Sequence, residues 1–153
     1  MIRLFRDSDL NSLQTMIYAT IDVSYSSVYP VRAVQFFKEY HSEDRIFERS
    51  RKGEIVIIER ASSIVATGSL VENEISAVFV SPDMQGQGYG KRIMSDLENR
   101  AKAQGIPEII LSVSLPSRKF YEKLQYEILP ERSVDVGEGQ RLNYWPGRKT
   151  LAS

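Results

Sequence analysis

The stretch SPDMQGQGYGK, residues 81–91, sets glycines at positions 86, 88 and 90 between two segments of different periodicity. Upstream, ISAVFVS over 75–81 has the β-branched and aromatic content of a strand, whereas downstream Ile93, Met94, Leu97 and Ala101 recur at helical spacing. Glycine loses more freedom on folding than any other residue, so three of them within five positions imply a backbone that has to stay bare. A strand that enters such a turn and leaves it as a helix presents unpaired N–H groups and the positive end of a helix dipole, which together make an anion site. The rest of the chain has to be built around this strand, turn and helix.

The flanking segments supply a sheet and more helices. Ile2 to Phe5 is a short strand candidate, and Asp7 or Ser8 can cap a helix carrying Leu10, Leu13, Ile17 and Ile21. SYSSVYP, residues 24–30, interrupts it; a second helical region runs from Val31 to about Arg51, with a break near His41 and Ser42, and closes at Gly53. EIVIIER and SIVATGSLVE, either side of a short Ala-Ser-Ser turn, read as an antiparallel hairpin. The helix after the glycines ends near Gly105 ahead of Pro107, and EIILSVS over 108–114 has the near-continuous apolar pattern of a strand covered on both faces. SLPSRKFYEKL follows as a short helix with Ser114 as cap, Pro116 in its first turn, and Phe120 and Leu124 on one face. Two strands around Gly137-Glu138-Gly139 end the chain as a hairpin. With 153 residues, 42% of them hydrophobic, and no linker or repeat, residues 1–153 are expected to be a single domain.

Composition removes several function classes. Twenty Lys and Arg balance twenty Asp and Glu, which leaves no basic footprint for nucleic acid. No cysteine is present for a disulfide, a thiolate metal site or a thiol nucleophile. Asp7 precedes any apolar stretch of signal-peptide length, and no run approaches the roughly 20 residues of a membrane span, so a cytoplasmic protein without membrane contact is expected. A phosphate loop of the nucleoside-triphosphatase kind fails here, with Gln85 where its first glycine belongs and Arg92 after Lys91. A dinucleotide fingerprint fails as well, because the residues three past Gly88 and Gly90 are Lys91 and Ile93.

The pattern that is satisfied is Gln-x-x-Gly-x-Gly at Gln85, Gly88 and Gly90. With AVFVSPDMQGQGYGKRIMSDLE, AKAQGIPEIILSVS and SRKFYEKLQYEI in succession, it resembles the core of the GNAT superfamily of acetyl-CoA-dependent N-acetyltransferases, over nearly the whole chain. The resemblance implies an α/β fold with a central mixed, mostly antiparallel sheet of about seven strands, a splayed parallel pair and about four flanking helices. It also implies transfer of an acetyl group from acetyl-CoA to a primary amine of a small molecule or peptide by direct attack in a ternary complex, with no metal. On that resemblance Gln85, Gly86, Gln87, Gly88, Tyr89, Gly90 and Lys91 hold the pyrophosphate, Phe79 and Val80 the pantetheine arm and thioester oxygen, and Ser117 adds to the cofactor set. Lys91, Arg92, Arg118 and Lys119 are available for further phosphates.

The same resemblance makes Tyr121 the general acid for the departing thiolate; Glu72 and Glu74 are the candidates for the general base. Tyr25 and Tyr29, with Asn143, Tyr144 and Trp145 of the terminal hairpin, are the acceptor-site candidates, although Trp145 also suits strand packing. His41, the only histidine, reads as a surface residue outside the chemistry. The chain departs from the family pattern in having Ser114 and Ser117 where an asparagine is common and Gln125 where a helix-ending glycine is usual. Acetyl-CoA and an amine acceptor are thus the expected partners, with the acceptor class and a homodimer left open. A CoA-binding sensor without turnover is the alternative, since fold does not fix function.

Overall fold

The computed structural model describes residues 2–152. The elements in order are β1 (Ile2–Leu4), α1 (Leu10–Ser24), α2 (Val31–Tyr40), α3 (Glu43–Lys52), β2 (Glu54–Arg60), β3 (Ser63–Val71), β4 (Glu74–Val80), α4 (Tyr89–Ala103), β5 (Glu108–Val113), α5 (Arg118–Lys123), β6 (Glu127–Ile128), β7 (Arg132–Gly137) and β8 (Gln140–Thr150). The sheet runs β1-β2-β3-β4-β5-β8-β6 with β7 paired to β8, and among the described residues only β4 and β5 are parallel. This is the expected mixed, mostly antiparallel architecture. Among the described residues it has eight strands because Glu127 and Ile128 add a short strand against Arg148 and Gly147, and five α-helices because the chain breaks at His41 and Ser42. Ser42 starts α3 by accepting the Arg45 N–H at 3.4 Å, one of the orphan donors of a helix start.

Strand alternation explains why the sheet is covered on both sides. In β2, Ile55 and Ile57 face one side and Val56 and Ile58 the other, and all four are buried. Helices α1, α2 and α3 cover the first face with residues such as Leu13, Ile17, Ile21, Ala33 and Ile46. Helices α4 and α5 cover the second through Ile93, Met94, Leu97, Ala101 and Tyr121. Helix α4 comes close because Gly68 in β3 has no side chain: a Cβ there would stand 2.6 Å from Ile93 Cγ2. The β2–β3 turn is made by Ala61 and Ser62, both at positive φ (49° and 66°), the conformation a two-residue hairpin of matching twist requires.

Four local readings are corrected. Neither Asp7 nor Ser8 caps α1; residues Asp7–Asp9 form a 3-10 turn, and it is Asp9 that accepts the Arg6 N–H at 2.7 Å while a bidentate Arg3 grips it at 2.8 Å. Strand β5 is not covered on both faces: Ile109, Leu111 and Val113 are buried in the core under α4 and α5, but Ile110, which alternation points to the opposite face, is 42% exposed. Ser114 does not cap a helix, since its hydroxyl is engaged by Tyr25 and Ser117. His41 is buried, as described below.

Gln125 occupies the left-handed position that glycine usually takes, with φ +70°. Its N–H donates to Glu122 O at 3.0 Å and the Tyr126 N–H to Tyr121 O at 3.1 Å, the paired bonds that end a helix in a Schellman motif. A left-handed non-glycine residue costs about 1–2 kcal/mol, partly offset by the greater chain entropy of glycine. Gln125→Gly is therefore expected to stabilise the protein by about 0.5–1 kcal/mol, seen as a higher urea midpoint; a lower midpoint would show that the glutamine makes up for its strain elsewhere.

Candidate active site

The site begins with a defect in β4. Ser76 pairs with Ser69 and Phe79 with Thr67, so Ala77 and Val78 together oppose the single residue Gly68. This is a β-bulge, and Ala77 takes φ +55° within it. The bulge bends β4 away from β5. The parallel pair meets only at Glu74 and Ile110, where the Ile110 N–H reaches Asn73 O at 3.0 Å. Past that point the strands diverge and open a cleft of two adjoining chambers, about 540 and 260 Å³, that share Tyr25, Val78, Phe79, Ser117 and Tyr121 as walls.

The larger chamber is bounded by the glycine turn. Gly86 and Gly88 have φ +79° and +87°, with open space where a side chain would be. The first helical bond of α4 runs from Arg92 N–H to Gly88 O at 3.1 Å, which leaves the amides of Tyr89, Gly90 and Lys91 without intrahelical partners. Gly90 is bare for another reason. A Cβ there would lie 3.2 Å from the Phe120 ring, so this glycine lets α5 pack against the start of α4. The Gln85 side chain turns back and donates to Val80 O at 3.1 Å, which ties the turn to the strand end.

Of the cofactor residues expected from sequence, Phe79, Val80, Gln85, Gly86, Gly88, Tyr89, Gly90, Lys91 and Ser117 line this chamber, and the exposed Gln87 does not. The Ser81 N–H donates to Val65 O across the ladder at 2.8 Å; amides alternate along a strand, so the Val80 N–H points away from β3, to the cleft side. Among the expected cations, Lys91 lines the chamber. Arg92 lies over the Tyr89 ring and Arg118 over Trp145, at 5.8 and 4.8 Å, and Lys119 lines neither chamber. Lys123, which sequence reasoning missed, does line it; its place one turn past Lys119 on α5 was the available signal.

Tyr121 stands where the chambers meet. Its ring is buried between Phe120 and Tyr126, with centroids 5.1 and 5.7 Å away. Its hydroxyl has no hydrogen-bond partner among the described residues, and the side chain lines both chambers. Burial pushes its pKa up, which keeps the phenol protonated and able to donate.

The smaller chamber is lined by aromatic rings together with Glu74, Ser76, Ser112 and His41. Glu74 is half-buried there, whereas Glu72 sits exposed in the β3–β4 turn at φ +55° and lines neither chamber. Tyr25 lines both chambers and bonds Ser114 Oγ at 3.1 Å. Tyr29 is a brace: its hydroxyl accepts the Leu115 N–H at 2.7 Å and donates to Asn143 O at 3.4 Å, pinning the segment before α5 to β8. Tyr144 faces the chamber, while Trp145 packs on the core beneath α5.

His41 overturns its surface reading. It is 4% exposed, its ring stands edge-on to Phe79 at 5.0 Å, and its Nδ1 is 3.2 Å from an Arg49 guanidinium nitrogen. Burial, reinforced by the Arg49 charge, pushes its pKa down to about 3. The apolar stripe of α2 and the polar stripe of α3 carry no mark of this pairing, because it forms across the break between the two helices.

A mostly antiparallel sheet, opened between two parallel strands beside a glycine-rich helix start, defines an acyltransferase-type α/β fold. The chain belongs to the GNAT acetyltransferase family, whose acetyltransferase domain matches residues 20–137. Similar solved structures include a GCN5-related N-acetyltransferase from Rhodopseudomonas palustris, with TM-score 0.89 at 20% identity over 99% of this chain and 95% of that one. PaiA N-acetyltransferase from Thermoplasma acidophilum, in complex with coenzyme A, has TM-score 0.77 at 18% identity over 98% of both chains. YncA, a putative acetyltransferase from Salmonella typhimurium with its cofactor acetyl-CoA, has TM-score 0.71 at 15% identity, covering 100% of this chain and 94% of that one.

Proposed function

We propose that the protein is an N-acetyltransferase that moves the acetyl group of acetyl-CoA to a primary amine by direct attack in a ternary complex. The observation that carries this reading is Tyr121, a buried phenol with an unpartnered hydroxyl at the junction of an anion-binding chamber and a second, smaller one. The larger chamber fits CoA on its own terms. It offers unpaired amides at Tyr89, Gly90 and Lys91 and left-handed glycines at 86 and 88 for a pyrophosphate. Lys91 and Lys123 add positive charge, and the unpaired edge of β4 suits an extended pantetheine arm. The CoA and acetyl-CoA complexes among the similar structures support the same ligand.

Bound acetyl-CoA supplies a thioester; the amine forms a C–N bond to its carbonyl carbon and the C–S bond breaks. The Val80 N–H, on the cleft side of β4, donates to the oxygen on which negative charge develops. Tyr121 gives its proton to the departing sulfur. A lysine-like amine is mostly protonated at pH 7, and exposing its lone pair costs roughly 4–5 kcal/mol, so a base is needed. Glu74, the carboxylate lining the smaller chamber, takes that proton directly or through water; the second amine proton leaves as the amide forms and restores the Tyr121 phenol through solvent.

Acetyl-CoA and CoA are expected to raise the melting temperature, by an amount that grows with concentration, and ATP and NAD to do so much less. Equal shifts from all of them would remove the CoA assignment. A panel of amines, amino acids and peptides with acetyl-CoA, followed by free thiol release, then separates a transferase from a silent binder: silence across the panel with CoA bound contradicts turnover.

A further inference from the structure

The smaller chamber contains an arrangement that the acetyl-transfer chemistry does not use. His41 lines its wall, and Arg49 meets the imidazole from behind. A guanidinium can only donate, so Nδ1 is the acceptor and the ring proton is held on Nε2. Nε2 has no hydrogen-bond partner among the described residues, and the ring lines the chamber. Arg49 itself has no carboxylate partner among the described residues. Its other bond is to Tyr40 O at 3.3 Å, and its Nε is buried without any partner. Arg49 is half-buried and forms no ion pair with a carboxylate among the described residues, and an anion placed against the His41 N–H gains from its charge.

The remaining surface describes the other parts of the occupant. Phe36, Phe37, Tyr40 and Tyr144 make the walls apolar and aromatic, and Glu74 stands on the strand side of the same chamber. At about 260 Å³, the space lies just under the ~300 Å³ at which pockets for drug-sized ligands begin, which suits a molecule of amino-acid size.

We propose that His41, held by Arg49, is a specificity-determining residue that receives the carboxylate of the acceptor, and that the acceptor is an amine with an apolar or aromatic body and a carboxylate, as in an amino acid. This rests on the acetyl-transfer reading for the fate of the amine. Carboxylate recognition itself is a binding property and is measured separately. A hydrogen bond to a charged group, backed by the guanidinium, gives the carboxylate about a 10- to 100-fold preference.

The test compares acceptors that differ only there: phenylalanine, phenylalaninamide and phenethylamine, and the matching leucine series. In the wild-type protein, kcat/KM is expected to be about 10- to 100-fold higher for the carboxylate than for the amide. N-acetylphenylalanine is expected to bind the protein–CoA complex more tightly than its amide by the same factor in calorimetry. His41→Leu should abolish the preference and His41→Gln, which keeps an N–H donor, should restore part of it; the wild-type comparison decides the matter even if a variant folds poorly. Amines acetylated without regard to the carboxylate would overturn this inference and leave the transferase reading standing. No acetylation of any amine, with carboxylate-selective binding intact, would overturn the transferase reading and leave this one. Equal binding of the acid and the amide overturns it outright.

Discussion

Replacing Tyr121 with phenylalanine is expected to lower turnover by roughly 10² to 10⁴ while CoA affinity changes little. The variant isolates the proton. The ring keeps its packing against Phe120 and Tyr126, and the hydroxyl has no protein partner to orphan, so stability is expected to stay within about 0.5 kcal/mol of wild type. The loss should fall in kcat, because the group acts only as the C–S bond breaks. With a leaving thiol near pKa 8.5, part of the rate should return at high pH, where the thiolate departs without help. Wild-type turnover in the phenylalanine variant would remove Tyr121 from the chemistry, and a large drop in melting temperature would make it a packing residue.

Lowering the pH from 7 to 5 is expected to cost about 2 kcal/mol of stability through His41 alone. The folded protein holds this imidazole neutral to about pH 3, because it is buried and faces the Arg49 charge, whereas an unfolded histidine titrates near 6.5. Between those values the unfolded chain binds a proton that the native state does not. The His41 contribution is therefore whole above pH 6.5 and is lost progressively as the pH falls toward 3. Denaturant titrations at pH 7 and pH 5 on wild type and His41→Gln measure it. Wild type should lose about 2 kcal/mol more than the variant, and parallel losses would mean that His41 takes up its proton in the folded state.

The β4-turn-α4 unit was legible because its signals are local: a strand pattern, glycines with positive φ at 86 and 88, and a helical stripe at Ile93, Met94, Leu97 and Ala101. The left-handed turn after α5 at Gln125 was legible through the family resemblance, which puts a helix-ending glycine there, and not from the glutamine itself. What decides the site is not local. Ala77 adopts positive φ inside EISAVFV, where nothing in the residue types marks a bulge; the bulge lies opposite Gly68 of the neighbouring strand, against which α4 packs. Ile110 has the character of a core residue and is left partly open because alternation points it to the face of β5 away from the core under α4 and α5. His41 and Arg49 meet across a helix break, and the division between Glu72 and Glu74 depends on which side of a turn faces the cleft. In each case tertiary geometry overrides what the residue's own segment implies.

The most direct test of acetyl transfer at this cleft is to mix catalytic amounts of protein with acetyl-CoA and each member of a panel of amines, amino acids and peptides that includes the phenylalanine series, and to measure free CoA thiol and N-acetylated amine together. The two products are expected in equal amounts, over many turnovers, with a rate that collapses in Tyr121→Phe. Thiol released without acetylated amine, or no release from a protein saturated with acetyl-CoA, would contradict it.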